Sequence, residues 1–233
     1  MPTVNGKKFL DAQLAEIRRR TQAGEKVAVT FDVDNTLVDT RGRVLALGKD
    51  FDKAHGTSYF KGKKAKEMGN DAKETAALVR MSPEHAKKFS SHFFRNFFKG
   101  ENYEHDLQIR QTVNLARKAA AAGADVYYVT ARTQSEETFT IKQLQAIGLP
   151  TVDDAFVVSK PKMKDKTADY KAAELVRIAA QYDYVPWFIT ESRADIAGVQ
   201  DKNVPVKSVL LDTKFSGDRK VDDDTPIWTV DVK

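Results

Sequence analysis

Two carboxylates, Asp32 and Asp34, follow directly on the apolar run Val27-Ala28-Val29-Thr30-Phe31. Residues two apart on an extended chain point to one side, so at the end of a buried strand both acids border one small polar pocket. Like charges that close repel, and one acid stays protonated unless a cation holds both ionised. A hard divalent ion such as Mg²⁺ suits such a site, since it prefers oxygen ligands and keeps positions open for a phosphate. The plainer reading is a strand end followed by an Asp34-Asn35 turn, because both residues are turn formers.

The elements that must position these acids are legible as periodicities. Further apolar runs at Asp125–Thr130, Ala155–Ser159, Val185–Thr190 and Val206–Leu211 alternate with helical spacing over Asp106–Ala122, Ser135–Ile147, Asp165–Gln181 and Arg193–Asp201. An opening helix over Lys7–Ala23 stops at Gly24. This alternation predicts an α/β fold, a Rossmann-like parallel sheet sandwiched by helices. The carboxyl ends of parallel strands share one rim, where such folds place their chemistry. The second run delivers Thr130-Ala131-Arg132 there, a hydroxyl and backbone N–H groups suited to phosphate oxygens. The third is followed by the basic loop Lys160-Pro161-Lys162-Met163-Lys164-Asp165-Lys166, and the fourth ends in Thr190-Glu191-Ser192-Arg193-Ala194-Asp195, with two more carboxylates.

The segment 42–104 interrupts the alternation and reads as a small α-helical insertion, leaving 1–41 and 105–233 as the core. Of the chain's 38 Lys/Arg and 33 Asp/Glu, Gly42–Glu104 holds 13 and 8, so the excess of cations lies in the insertion and the remainder balances at 25 and 25. Phe89, Phe93, Phe94, Phe97 and Phe98 recur near helical spacing there, the pattern of a helical core. There is no cysteine among the 233 residues, which excludes disulfides, thiolate–zinc sites and cysteine nucleophiles and fits a reducing cytoplasm. The opening Met1-Pro2-Thr3-Val4-Asn5-Gly6-Lys7-Lys8 is not followed by the apolar region of a secretory signal, and no apolar run reaches transmembrane length.

The order Asp32-Val33-Asp34-Asn35-Thr36, then Thr130, then a lysine before a helix, then Glu191 and Asp195, resembles the four motifs of the haloacid dehalogenase-like (HAD) phosphohydrolases. The resemblance spans about Val27 to Leu211, with the insertion where that family places its cap. It implies a Mg²⁺-dependent phosphomonoester hydrolase working through an aspartyl phosphate. Asp32 is then the nucleophile and Asp34 the general acid/base. Thr130, Ala131 and a lysine, best matched by Lys166 with Lys164 and Lys160 behind it, hold the phosphoryl oxygens. Asp32, Asp34 through its backbone carbonyl, and Glu191 or Asp195 hold the metal. The chain departs from the family at its fourth motif, with Thr190-Glu191 where Gly-Asp is common. That departure admits a metal- or phosphate-binding module without turnover. The expected substrate is a small phosphorylated metabolite; the second substrate class is a nucleic-acid end, since the Lys166–Lys171 region is also similar to the phosphatase domain of polynucleotide kinases.

Overall fold

The computed structural model describes residues 5–151, 156–213, 216 and 220–230. Met1–Val4 and Ala155, the first residue of the expected third strand, lie outside them. The chain divides into two compact units, Met1–Leu37 with Ile109–Val232, and Val38–Gln108.

The first unit is an α/β domain. In chain order it contains α1 (Gly6–Gln22) and β1 (Ala28–Phe31), and the inserted unit then supplies β2 (Val38–Asp39), α2 (Arg41–His55), α3 (Ala72–Leu78), α4 (Pro83–Asn96) and β3 (Leu107–Gln108). The α/β domain resumes with α5 (Arg110–Ala121), β4 (Asp125–Thr133), α6 (Glu137–Ala146), β5 (Val157–Lys160), α7 (Thr167–Ala179), β6 (Phe188–Thr190), α8 (Arg193–Asp201), β7 (Ser208–Asp212) and β8 (Ile227–Thr229).

Its six strands lie in the order β5-β4-β1-β6-β7-β8, and every registered pair is parallel. All four residues of β1 are buried, as expected of a strand covered on both faces. Ala28, Tyr127, Val129, Val158 and Phe188 meet Ala172, Leu175 and Ile178 of α7 and Val199 of α8 in one core cluster. From β1 the chain builds outward through β4 and β5, then returns to pair β6 with the other edge of β1. That reversal places the topological switch point beside β1, and the residues that follow β1 and β6 come together there.

The inserted unit is mainly helical. Val44, Leu47, Phe51, Phe60, Met68, Phe89 and Phe93 form its core. Phe94, expected in that core, is 70% exposed. The helix expected from Asp106 starts at Arg110 because Leu107 and Gln108 pair antiparallel with Asp39 and Val38. Among the described residues no helix is long and apolar enough to cross a membrane.

Candidate active site

Asp32 follows β1, and its backbone N–H donates to Ile189 O at 2.8 Å, which carries the alignment with β6 one residue beyond the strand. The chain then turns. Asn35 sits in the left-handed region at φ 55°, and Leu37 N–H returns to Val33 O at 2.8 Å. Asparagine is among the few non-glycine residues that adopt this conformation readily. The turn brings Thr36 back toward the end of β6, where its hydroxyl donates to Glu191 Oε2 at 3.1 Å and accepts from Glu191 N–H at 3.2 Å. Thr190, the last residue of β6, donates to Asp32 Oδ2 at 3.2 Å. Thus the turn reading and the carboxylate-pocket reading of this segment describe the same residues.

The structure places a lysine in the middle of this rim, but not the expected one. Lys171 Nζ lies 2.7 Å from Asp32 Oδ1 and 2.7 Å from Asp195 Oδ2, and its side chain is 2% exposed. Lys171 shares the buried stripe of α7 with Leu175 and Ile178, at i, i+4 and i+7. Lys166 caps the start of α7 and is exposed, as is Lys164. Lys160 is buried, with its ammonium donating to Met163 O, Asp165 O and Thr167 Oγ1 at 3.1, 3.1 and 3.3 Å, so it holds the loop that precedes α7. The legible signal for Lys171 was a charged residue in register with an apolar helical stripe.

Arg132 is a second residue whose role the sequence did not disclose. It grips the Asp34 carboxylate with two prongs, Nε to Oδ2 at 3.1 Å and Nη2 to Oδ1 at 2.8 Å. Its backbone N–H donates to Thr130 Oγ1 at 3.2 Å, so Thr130 is buried at the rim, with Ala131 half-buried beside it. Asp195 stands in the first turn of α8, whose N-cap hydroxyl, Ser192 Oγ, accepts the Asp195 N–H.

Four carboxylates, Asp32, Asp34, Glu191 and Asp195, thus face Lys171 and Arg132, with the buried Lys160 ammonium also within electrostatic reach of Asp195 and Lys171. Burial pushes the Asp32 carboxyl above its ordinary range; Lys171 opposes this, while Asp195 and Asp34 reinforce it. Burial and the neighbouring Asp32 hold Glu191 well above its usual value, and Glu191 also hydrogen-bonds the Asp32 carboxyl. Burial works against the Lys171 ammonium, but Asp195 and Asp32 outweigh it and keep the lysine charged. Full ionisation of both Asp32 and Glu191 is therefore disfavoured in the metal-free arrangement. Among the described residues no three carboxylates or histidines are set to hold an ion unaided. Mg²⁺ does not require that, since it commonly takes one or two carboxylates, waters and substrate phosphate. The oxygen donor set and its surplus charge fit such an ion.

The sequence model of the HAD superfamily, subfamily IIIB (acid phosphatase), matches residues 7–215. Among curated proteins no sequence matches the chain. Solved structures with a similar fold include a haloacid dehalogenase-like family hydrolase from Streptococcus pneumoniae, at 16% identity and TM-score 0.52 over 82% of this chain and 86% of that one. Protein Tyrosine Kinase A from Mycobacterium tuberculosis is similar at 14% identity and TM-score 0.58, over 88% of this chain and 94% of that one. One fold therefore carries both a hydrolase and a protein named as a kinase, and likeness at this level speaks for architecture alone.

Proposed function

Because the chain belongs to the HAD superfamily, subfamily IIIB (acid phosphatase), we propose that this phosphatase hydrolyses small phosphate monoesters with Mg²⁺ through an aspartyl phosphate on Asp32. The observation that carries the reading is the buried Asp32 carboxylate, held between Lys171 and Thr190 with Asp34 two residues on.

In the first half-reaction an Asp32 carboxylate oxygen attacks phosphorus, the bond to the ester oxygen breaks, and Asp34 gives its proton to the departing alcohol. Asp34 must be protonated for this, whereas the two-pronged Arg132 contact favours its anion. Phosphoryl oxygens are alternative partners for Arg132, so substrate binding frees Asp34 to take up a proton. In the second half-reaction Asp34 accepts a proton from water, the oxygen attacks the aspartyl phosphate, and phosphate leaves with Asp32 restored. Thr130 Oγ1, the Ala131 backbone and the Lys171 ammonium hold the phosphoryl oxygens, with Lys171 taking the place expected for Lys166. The Asp32 carboxylate, the Asp34 backbone carbonyl and Glu191 would hold Mg²⁺, Glu191 being chosen because its carboxyl lies against that of Asp32 while Asp195 is engaged by Lys171. When bound, the ion neutralises the phosphate so that one anion can approach another. Asp195, engaged by Lys171, sets the lysine in position.

A small phosphorylated metabolite is the substrate class. Purified protein should release nitrophenolate from 4-nitrophenyl phosphate when Mg²⁺ is supplied and stop when the ion is chelated. A folded sample inert toward a broad panel of phosphomonoesters with Mg²⁺ overturns the reading.

A further inference from the structure

Helix α4 presents a strongly basic face. Glu84, Lys87, Lys88, Ser91 and Arg95 recur on it at three- and four-residue spacing, and with His92 and with His55 from the end of α2 they line a hollow of about 480 Å³. The one acid is already engaged, since Lys88 Nζ donates to Glu84 at 2.7 Å. Lys87 and Arg95 make no ion pair among the described residues. A row of lysines on a helix is commonly just a solvated surface. Two features separate this one: the concavity, and the two histidines, His55 and His92, that line it beside the cations.

His92 Nε2 is buried and has no hydrogen-bond partner among the described residues. His92 lines the hollow together with His55. Burial holds this imidazole below its ordinary pKa; Asp50 opposes the shift, and His55 and Arg95 add to it. An anion brought into the hollow supplies the missing negative charge and draws a proton onto the ring.

We propose that this hollow in the inserted unit is a binding site for an oligophosphate, a compact anion bearing several phosphoryl groups. Lys87 and Arg95 stand eight residues apart, roughly 12 Å along the helix. A single phosphate cannot reach both, whereas a short phosphate chain can. The hollow has the size of small-ligand sites. Its seven lining residues include no Phe, Tyr or Trp, so it lacks the large aromatic platforms of single-stranded nucleic-acid sites.

The test is calorimetric titration of the whole chain with sodium tripolyphosphate, in chelator to prevent turnover, at pH 6 and pH 8. Binding should be tighter at pH 6, and orthophosphate should bind at least about tenfold more weakly than tripolyphosphate. The double variant Lys87→Glu/Arg95→Glu should lose about tenfold or more in tripolyphosphate affinity while hydrolysing 4-nitrophenyl phosphate like the parent. Ser91→Asp, which sets a carboxylate in the middle of the exposed face, should weaken binding in the same direction, and Lys87→Arg should preserve it. Undiminished tripolyphosphate affinity in both the double variant and Ser91→Asp overturns the site. Tighter binding of an oligothymidylate than of tripolyphosphate overturns the ligand class, and a pH 6 to pH 8 affinity ratio unchanged in His92→Gln overturns the part given to His92.

Discussion

The two units of this protein bury charge in opposite ways. In the inserted unit each buried arginine has its own carboxylate. Arg41 reaches Asp39 through Nε and Nη2, at 2.7 to 3.0 Å, and Arg43 reaches Asp106 through Nε and Nη2, with both side chains of that second pair fully buried. The Arg43 guanidinium also donates to Phe97 O and lies 4.6 and 4.3 Å from the ring centres of Phe97 and Tyr103. These pairs are matched in charge and saturated in hydrogen bonds, as a structural ion pair must be. In the α/β domain Asp32 and Asp195 share one cation, Lys171, and the Asp32 and Glu191 carboxyls are held above their ordinary pKa. Burial alone therefore says little about function; imbalance among buried charges is the sign of a site awaiting a ligand.

The contrast is sharpest at Asp32. Asp32→Asn should lower phosphatase turnover by at least about 10⁴-fold, because the attacking oxygen is gone. The same change removes a carboxylate that burial disfavours, so in chelator the variant should melt no lower than the parent. A variant that keeps its rate would break the catalytic assignment, and a large loss of stability would place Asp32 with the structural pairs. Lys171→Met should lower turnover by about 10²- to 10³-fold, the scale of losing one group that holds transition-state charge. Lys166→Met, on an exposed cap residue, should stay within about twofold of the parent. The reverse ranking would return the phosphate-holding role to Lys166.

That pair of lysines also shows what a sequence discloses. Strand-to-helix alternation and the acids at strand ends made the parallel sheet and its rim readable, since both rest on local periodicity. Lys171 was hidden because a lysine on a helix normally faces water, and only its register with Leu175 and Ile178 marks it as buried. Arg132 was quoted with Thr130, yet its partner Asp34 is 98 residues away, and no spacing encodes such a contact. Strand β8 escaped notice because three residues are too few to show alternation, and β2 and β3 because two are fewer still. Phe94 follows the helical spacing of its buried neighbours and still points outward, since a rule about periodicity cannot say where an apolar face ends.

On the structural side, Asp106→Asn should cost about 3 to 5 kcal/mol of unfolding free energy, because it leaves the Arg43 charge buried without its counter-ion. Urea denaturation measures this directly. Replacing the whole pair, Arg43→Met with Asp106→Leu, should cost much less, since removing both charges also removes their desolvation. If the single and double variants are equally damaged, Arg43 acts mainly through its ring and carbonyl contacts, and the matched-pair description fails.

The smallest effect follows from the raised Glu191 carboxyl. Above its unfolded value of 4.5 the metal-free folded protein keeps a proton there that the unfolded chain has released. The folded state then binds more protons, so stability declines as pH rises from that value through the raised folded pKa. Below 4.5 both states are protonated, and the residue adds no such slope. Melting temperatures between pH 5 and pH 8 in chelator should therefore fall less steeply in Glu191→Gln than in the parent. Adding Mg²⁺ to the parent should flatten its slope too, because a cation beside Asp32 and Glu191 favours their ionised forms. Parallel parent and variant curves would mean that Glu191 is ionised without metal, and the imbalance that distinguishes this site from the arginine pairs would then rest on Asp32 alone.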